Sequence, residues 1–292
     1  MDMEGPKVSV VVTTYNHRDY ISECLEGILM QQTTFPFEII LGEDASTDGT
    51  REVCKAYAEK YSDIIRLFLR SRGDVIYIEG HPTGRSNFME SLKVSKGKYI
   101  ALCEGDDYWT DPLKLQKQVD FLEAHPDYAL CFHRAQLLNE KGEFTLHAIP
   151  EDFEENTFVY KDLLSHYNFI ATASVLFKIP QSFSFPKWFE GIPFGDLSLY
   201  ALVTKSKKIK CLNDTMSVYR IHSQGIFQKQ NKLRQQLQYL FFYKRIVQIL
   251  SLEEQKVVAK KRLQTIKNLA ILRFPKNILW QQIYKYYLRF KF

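Results

Sequence analysis

Three apolar runs, each emptying into a polar turn and then a helical pattern, constrain this chain's fold more than any other feature. Val8 to Thr13 is a largely β-branched run, as expected of a strand buried on both faces of a parallel sheet. After the turn Thr14-Tyr15-Asn16-His17, residues Ile21, Cys24, Leu25, Ile28 and Leu29 recur at 3.6-residue spacing and predict an amphipathic helix. Phe37 to Leu41 predicts a second strand, which opens into Gly42-Glu43-Asp44. A helix over 51–61 with Val53, Cys54 and Tyr57 on one face comes next, and then a strand over Ile65 to Leu69. Strand–helix alternation of this kind implies parallel strands with right-handed crossovers.

The third apolar run is Tyr99 to Cys103. It ends in three acids within four residues, Glu104, Asp106 and Asp107, followed by Tyr108-Trp109 and a helix start with Asp111 as N-cap and Pro112 at the first helical position. Carboxylates so placed lie at the carboxyl end of a buried strand, where open α/β sheets bind ligands. Crowded like charges raise one another's pKa unless a cation intervenes, and clustered carboxylates suit Mg or Mn. A solvated acidic turn is the plain alternative. Glu43-Asp44 after a second strand puts two acidic clusters on one sheet edge, which makes a pocket.

Downstream, a loop over 70–85 precedes a helix over 87–94. A helix closes at His125-Pro126, a strand spans 128–132, and a hairpin turns at Lys141-Gly142. Further strands are expected over 173–178, 209–212 and 216–221, with a loop from Gly191 into a helix that opens at Asp196. Helices are then expected over about 229–250, 253–272 and 277–289.

The combination of three segments, 6–16, 37–50 and 97–109, resembles the family 2 glycosyltransferases of GT-A fold, over roughly residues 6 to 225. The resemblance implies an α/β, Rossmann-like and mostly parallel sheet flanked by helices, a transferase domain at 1–225 and a C-terminal helical extension at 226–292. It implies transfer of a sugar from a nucleotide-diphosphate donor, UDP-sugar favoured, with inversion and a divalent cation (Mn or Mg). The acceptor would be a hydroxyl of a glycan or lipid-linked saccharide in surface polysaccharide synthesis.

Roles follow by position. Thr13, Thr14 and Tyr15 would line the nucleobase and ribose pocket, and Asp44 would accept from the base. Glu43 stands where the family usually has Asp. Glu104-Gly105-Asp106 takes the place of the Asp-x-Asp motif, with Glu in the leading position. Asp106 and Asp107 divide ribose and metal between them, and His222 resembles a late histidine that ligates the metal or touches the diphosphate. Asn87 falls near the nucleotide or caps a helix. Asp196 matches the base position, although the usual acidic pair is reduced to Gly195-Asp196; its plainer role is an N-cap. Arg220 reads as a diphosphate contact or, more plainly, an ordinary surface charge, and His17, with the other histidines, as structural or surface. A nucleotidyltransferase and a non-catalytic nucleotide-sugar binder are the rival classes.

Charge is divided unevenly. From Lys229 onward there are 15 Lys/Arg and 2 Asp/Glu, out of totals of 39 and 34, so the body is net negative and the tail strongly positive. That tail also holds 11 aromatic residues, and Leu279, Ile283, Tyr286 and Phe290 fall at 4-3-4 spacing. Two readings follow: the apolar face packs on the domain, or it lies on an anionic inner leaflet with its bases beside it. No nucleic-acid motif accompanies the charge. Five widely spaced Cys and the lack of an apolar leader or spanning segment predict free thiols and a cytoplasmic protein, peripheral on the membrane if the tail anchors it.

Overall fold

The computed structural model describes residues 5–151, 153–166, 168–180, 183–204, 207–223, 225 and 231–291. Its N-terminal half runs β1 (Val8–Thr14), α1 (Ile21–Leu29), β2 (Phe37–Glu43), α2 (Thr50–Lys60), β3 (Ile65–Leu69), β4 (Tyr77–Ile78), β5 (His81–Pro82), α3 (Arg85–Val94), β6 (Tyr99–Glu104), β7 (Tyr108–Trp109) and α4 (Lys114–Ala124). There follow β8 (Tyr128–Asn139), β9 (Phe144–Leu146), β10 (Thr157–Phe158), α5 (Tyr160–Ser165), β11 (Leu176–Lys178), α6 (Gly195–Thr204), β12 (Lys208–Ile221), α7 (Lys232–Ile246), α8 (Leu252–Arg273) and α9 (Ile278–Lys291).

The main sheet has the order β10-β12-β8-β11-β6-β1-β2-β3. Strand β1 sits between parallel neighbours β2 and β6, and β3 runs parallel to β2. Strand β11 lies antiparallel between β6 and β8, and β10, β7 and β9 also pair antiparallel, so the sheet is mixed. The central position of β1 explains its composition: Val8, Val10 and Val12 face one core with α1, and Val11 faces the other. Its one polar interior residue, Ser9, has a local reason. The Ser9 hydroxyl donates to Glu38 at 2.6 Å and accepts the backbone N–H of Gly97 at 2.8 Å, so the turn into β6 is satisfied inside the sheet.

Several boundaries differ from expectation, and strand β8 runs on to Asn139, beyond the expected 132. The two short strands expected over 209–221 form one long strand, β12, whose pairing with β8 is interrupted by register shifts near 212–217. Helix α4 begins at Lys114, because Asp111 accepts the Leu113 N–H at 2.8 Å and forms a turn outside the helix. The strand expected over 173–178 is β11 alone, a 3-10 turn occupying 172–174.

The C-terminal helices pack on the sheet domain through α7 and α8, with Phe242, Ile246 and Val258 joining the core that holds Phe132, Phe189 and Tyr200. Helix α9 lies on α7 and α8 through buried Leu288. Its outer face stays open, with Leu279, Tyr286 and Phe290 exposed by 68, 75 and 89%. No described helix is long and apolar enough to cross a membrane. All five Cys are buried and free.

Candidate active site

Strands β1, β2 and β6 end together. Thr14 pairs with Glu43 and Thr13 with Glu104 in the parallel register, so the residues that follow share one edge. The strand ends are joined directly: Asp44 N–H donates to the Thr14 carbonyl, and Gly105 N–H to the Thr13 carbonyl, each at 3.0 Å.

One wall carries Tyr15, Asp44 and Arg72. Tyr15 is 40% exposed, and the Arg72 guanidinium lies 4.4 Å from its ring centroid while donating to Asp44 at 2.7 Å. Burial raises the Asp44 carboxyl, with Arg72 opposing the shift. Glu43 points elsewhere. Its two oxygens accept Arg51 Nε and the Ser46 N–H, each at 2.5 Å, which fixes the loop after β2. Asn87 is buried and donates to the Gly42 carbonyl at 2.8 Å, locking α3 to β2 under the same wall.

The acidic loop forms the floor. Asp106 Oδ2 lies 3.0 Å from His222 Nε2 and 3.7 Å from His17 Nε2. Burial works to raise Asp106, but the His222 hydrogen bond and the His17 ring outweigh it and hold the carboxyl below its usual range. The Nδ1 atoms of both histidines are buried without a hydrogen-bond partner. Glu104 opens to the cleft, yet dense protein behind it, then Asp106 and Asp196, push its carboxyl up to about 8. Asp107 turns inward. It is 1% exposed, its Oδ1 accepts the Arg220 N–H at 2.9 Å, and burial raises it well above the usual value. Gly105 permits this floor: a Cβ there would lie 2.6 Å from Thr14 Oγ1 and 3.0 Å from His17 Nδ1. Trp109 packs beneath, donating to the Ala173 carbonyl at 2.8 Å.

Across the cleft, Asp196 sits in the first turn of α6, near enough to Glu104 for the two charges to interact. Burial raises its carboxyl, while the Leu197 N–H, Arg85 and Asn168 work against the shift. Asn168 Nδ2 donates to Asp196 Oδ2 at 2.5 Å. Buried Arg85 donates to the carbonyls of Phe189 at 2.6 Å and Ile192 at 2.9 Å and stacks on the Phe189 ring, so it holds the segment that delivers Asp196.

Among the described residues no three His, Cys, Asp or Glu side chains form a ready metal cage. A cation bound by one or two protein groups and completed by substrate phosphates needs no such cage. Asp106 and His222 fit that case, offering an oxygen and a nitrogen on the cleft floor. Two residues take parts that the sequence did not assign to them. Arg220, whose side chain is 10% exposed, donates to the Asp106 carbonyl at 2.6 Å, pairs with Glu23 and lies over the Tyr108 ring. His17 belongs to the Asp106 cluster. Neither stands in a motif; the signal for His17 was its place in the turn directly after β1.

A sequence profile described as Glycosyl transferase family 2 matches residues 9–181. An uncharacterized protein of Mycobacterium tuberculosis (strain ATCC 25618 / H37Rv) is 37% identical over 224 residues, covering 75% of this chain and 60% of the relative. The chain thus spans less than two thirds of that relative's length. Among solved structures, a mannosyltransferase from Pyrobaculum calidifontis in complex with GDP-Man and Mn2+ superposes with a TM-score of 0.62 at 16% identity, covering 97% of this chain and 74% of the other. S. aureus TarS 1–349 in complex with UDP superposes with a TM-score of 0.57 at 17% identity, over 92% and 72%. The sheet order, the shared strand edge and the profile lead to one assignment: the chain has a GT-A fold and belongs to Glycosyl transferase family 2.

Proposed function

We propose that this chain transfers a hexosyl or N-acetylhexosaminyl unit from a UDP-sugar to a glycan or lipid-linked hydroxyl, with inversion, in surface polysaccharide synthesis. The observation that carries the reading is the facing pair of clusters: Asp106 with His222 on the floor, and Asp196 across the cleft. Support for the donor comes from the nucleotide and nucleotide-sugar complexes of the structurally similar proteins. Tyr15 is the exposed ring for the nucleobase, with Asp44 and Arg72 beside it to read its edge. Thr13 and Glu104 line the path to the floor, while buried Thr14, Glu43, Asn87 and Asp107 hold the strand ends that form the pocket.

Asp106 and His222 would hold the divalent cation, which when bound supplies Lewis-acid stabilisation to the departing nucleoside diphosphate. Asp196 takes the acceptor proton. Its raised pKa suits a base, since an ordinary carboxylate is too weak to share a hydroxyl proton near neutrality. Asn168 holds one carboxylate oxygen and leaves the acceptor the other. The open aromatic face of α9, with Lys285 and Arg289 on the same helix, supports a position on an anionic leaflet beside lipid-linked acceptors.

The test is release of UDP from UDP-glucose and UDP-N-acetylglucosamine with Mn2+. Asp196→Asn is expected to lower release about 10²–10⁴-fold, with stabilisation by UDP retained. Residual activity near that of the unaltered chain removes Asp196 from the role. Diphosphate release from a nucleoside triphosphate would instead indicate nucleotidyl transfer.

A further inference from the structure

The turn after β1 delivers a second imidazole to the acidic floor. His17 N–H donates to Thr50 Oγ1 at 2.8 Å, and the His17 carbonyl accepts the N–H groups of Tyr20 at 2.9 Å and Ile21 at 2.8 Å. Its backbone is thereby tied to the starts of both α1 and α2. The ring reaches the floor from there: His17 Nε2 stands 3.7 Å from Asp106 Oδ2, the same oxygen that His222 Nε2 approaches to 3.0 Å. Tyr20 packs beside both imidazoles, its ring centroid 6.5 Å from that of His17 and 5.0 Å from that of His222.

Nothing in the protein fixes either tautomer, because both Nδ1 atoms are buried without a hydrogen-bond partner. Each Nε2 can therefore turn a lone pair on an ion in place of a proton on Asp106. Neighbouring donors on an octahedral ion with bonds of about 2.1 Å lie about 3.0 Å apart, and opposite donors about 4.2 Å. The separations of 3.0 and 3.7 Å from Asp106 Oδ2 fall within that span. Two imidazoles and one carboxylate with open positions are a donor set for first-row transition ions, whereas Mg2+ takes oxygen and keeps its waters. We infer that His17 is a third ligand of the cation site, so that Asp106, His222 and His17 select a first-row transition ion over Mg2+. The inference rests on the cation reading of Asp106 and His222 given above.

Mn2+ bound to the full chain with UDP is the probe, read by electron spin echo modulation, which counts the imidazole nitrogens on the ion. Two imidazole couplings are expected in the unaltered chain, one in His17→Phe and one in His222→Phe. Competition against the bound Mn2+ gives a second reading. Co2+ should displace it at far lower concentration than Mg2+ does, and His17→Phe should narrow that difference about 10–100-fold, the loss typical of a change at a metal site. Thermal unfolding verifies the fold of each variant, and His17→Ala repeats the measurement without a ring in the turn. A single coupling that vanishes in His222→Phe and survives in His17→Phe, or an unchanged Co2+ to Mg2+ ratio in His17→Phe, overturns the inference and leaves the cation on Asp106 and His222. No imidazole coupling in the unaltered chain overturns the cation reading and the inference with it.

Discussion

At the scale of single residues, the site depends on groups whose environment overrides their ordinary chemistry. Lys114 is fully buried, 3.9 Å from the Trp109 ring centroid and bonded to Gln118 at 2.8 Å. Burial brings its ammonium down to about 7, with only the Cys103 and Cys131 thiols opposing. Between pH 10.5 and about 7 the unfolded chain therefore holds a proton that the folded chain lacks, so lowering the pH across that window destabilises the fold. Below pH 7 the folded protein takes the proton too and the decline stops. Lys114→Met lacks this liability. Its melting temperature relative to the unaltered protein should climb as pH falls from 10 to 7 and then level off, which thermal unfolding across pH measures; a flat difference would mean Lys114 stays charged. Gly105 is constrained by space. Gly105→Ala must displace Thr14 or the acidic loop and should cost about 1–3 kcal/mol. A loss of UDP stabilisation beyond the loss of fold stability would show that the loop moved.

Single residues also weld elements together. Arg85 on α3 closes two carbonyls of the segment leading into α6, and a Cβ on Gly195 would come within 2.7 Å of its guanidinium. Arg85→Met leaves those carbonyls buried and unpaired, at a cost of about 2–4 kcal/mol. Urea unfolding should register that loss, and UDP release should fall as Asp196 loses its support; unchanged kinetics would separate Arg85 from the site. Arg220 plays the same part for β12, tying it to the acidic loop and, through Glu23, to α1. Its motif-free setting explains why it reads as a surface charge: the contacts join residues 23, 106 and 220, which only the completed sheet brings together.

For the molecule as a whole, the question is what the C-terminal helices add. Helices α7 and α8 complete the core, whereas α9 exposes Leu279, Ile283, Tyr286 and Phe290 on one side. A membrane surface attracts nearby bases by about 1 kcal/mol each, and aromatic side chains anchor at its interface. The double change Tyr286→Ser and Phe290→Ser should abolish binding to phosphatidylglycerol vesicles, followed by co-sedimentation, and leave UDP release intact. Undiminished sedimentation would assign the aromatic face to another partner.

The order of elements and the sheet edge that carries the site were legible locally, because buried parallel strands are written as apolar runs and their polar turns follow in sequence. Val8 to Thr13, Phe37 to Leu41 and Tyr99 to Cys103 needed nothing beyond that periodicity, and the folded sheet extends each by one or two residues. The partnership of individual side chains was not local. Whether Glu43 faces ligand or Arg51, and whether His17 idles or joins Asp106, depend on contacts that sequence spacing does not announce. A hydrogen bond has no sequence period, so those assignments exist only once the sheet and the helices have closed on one another.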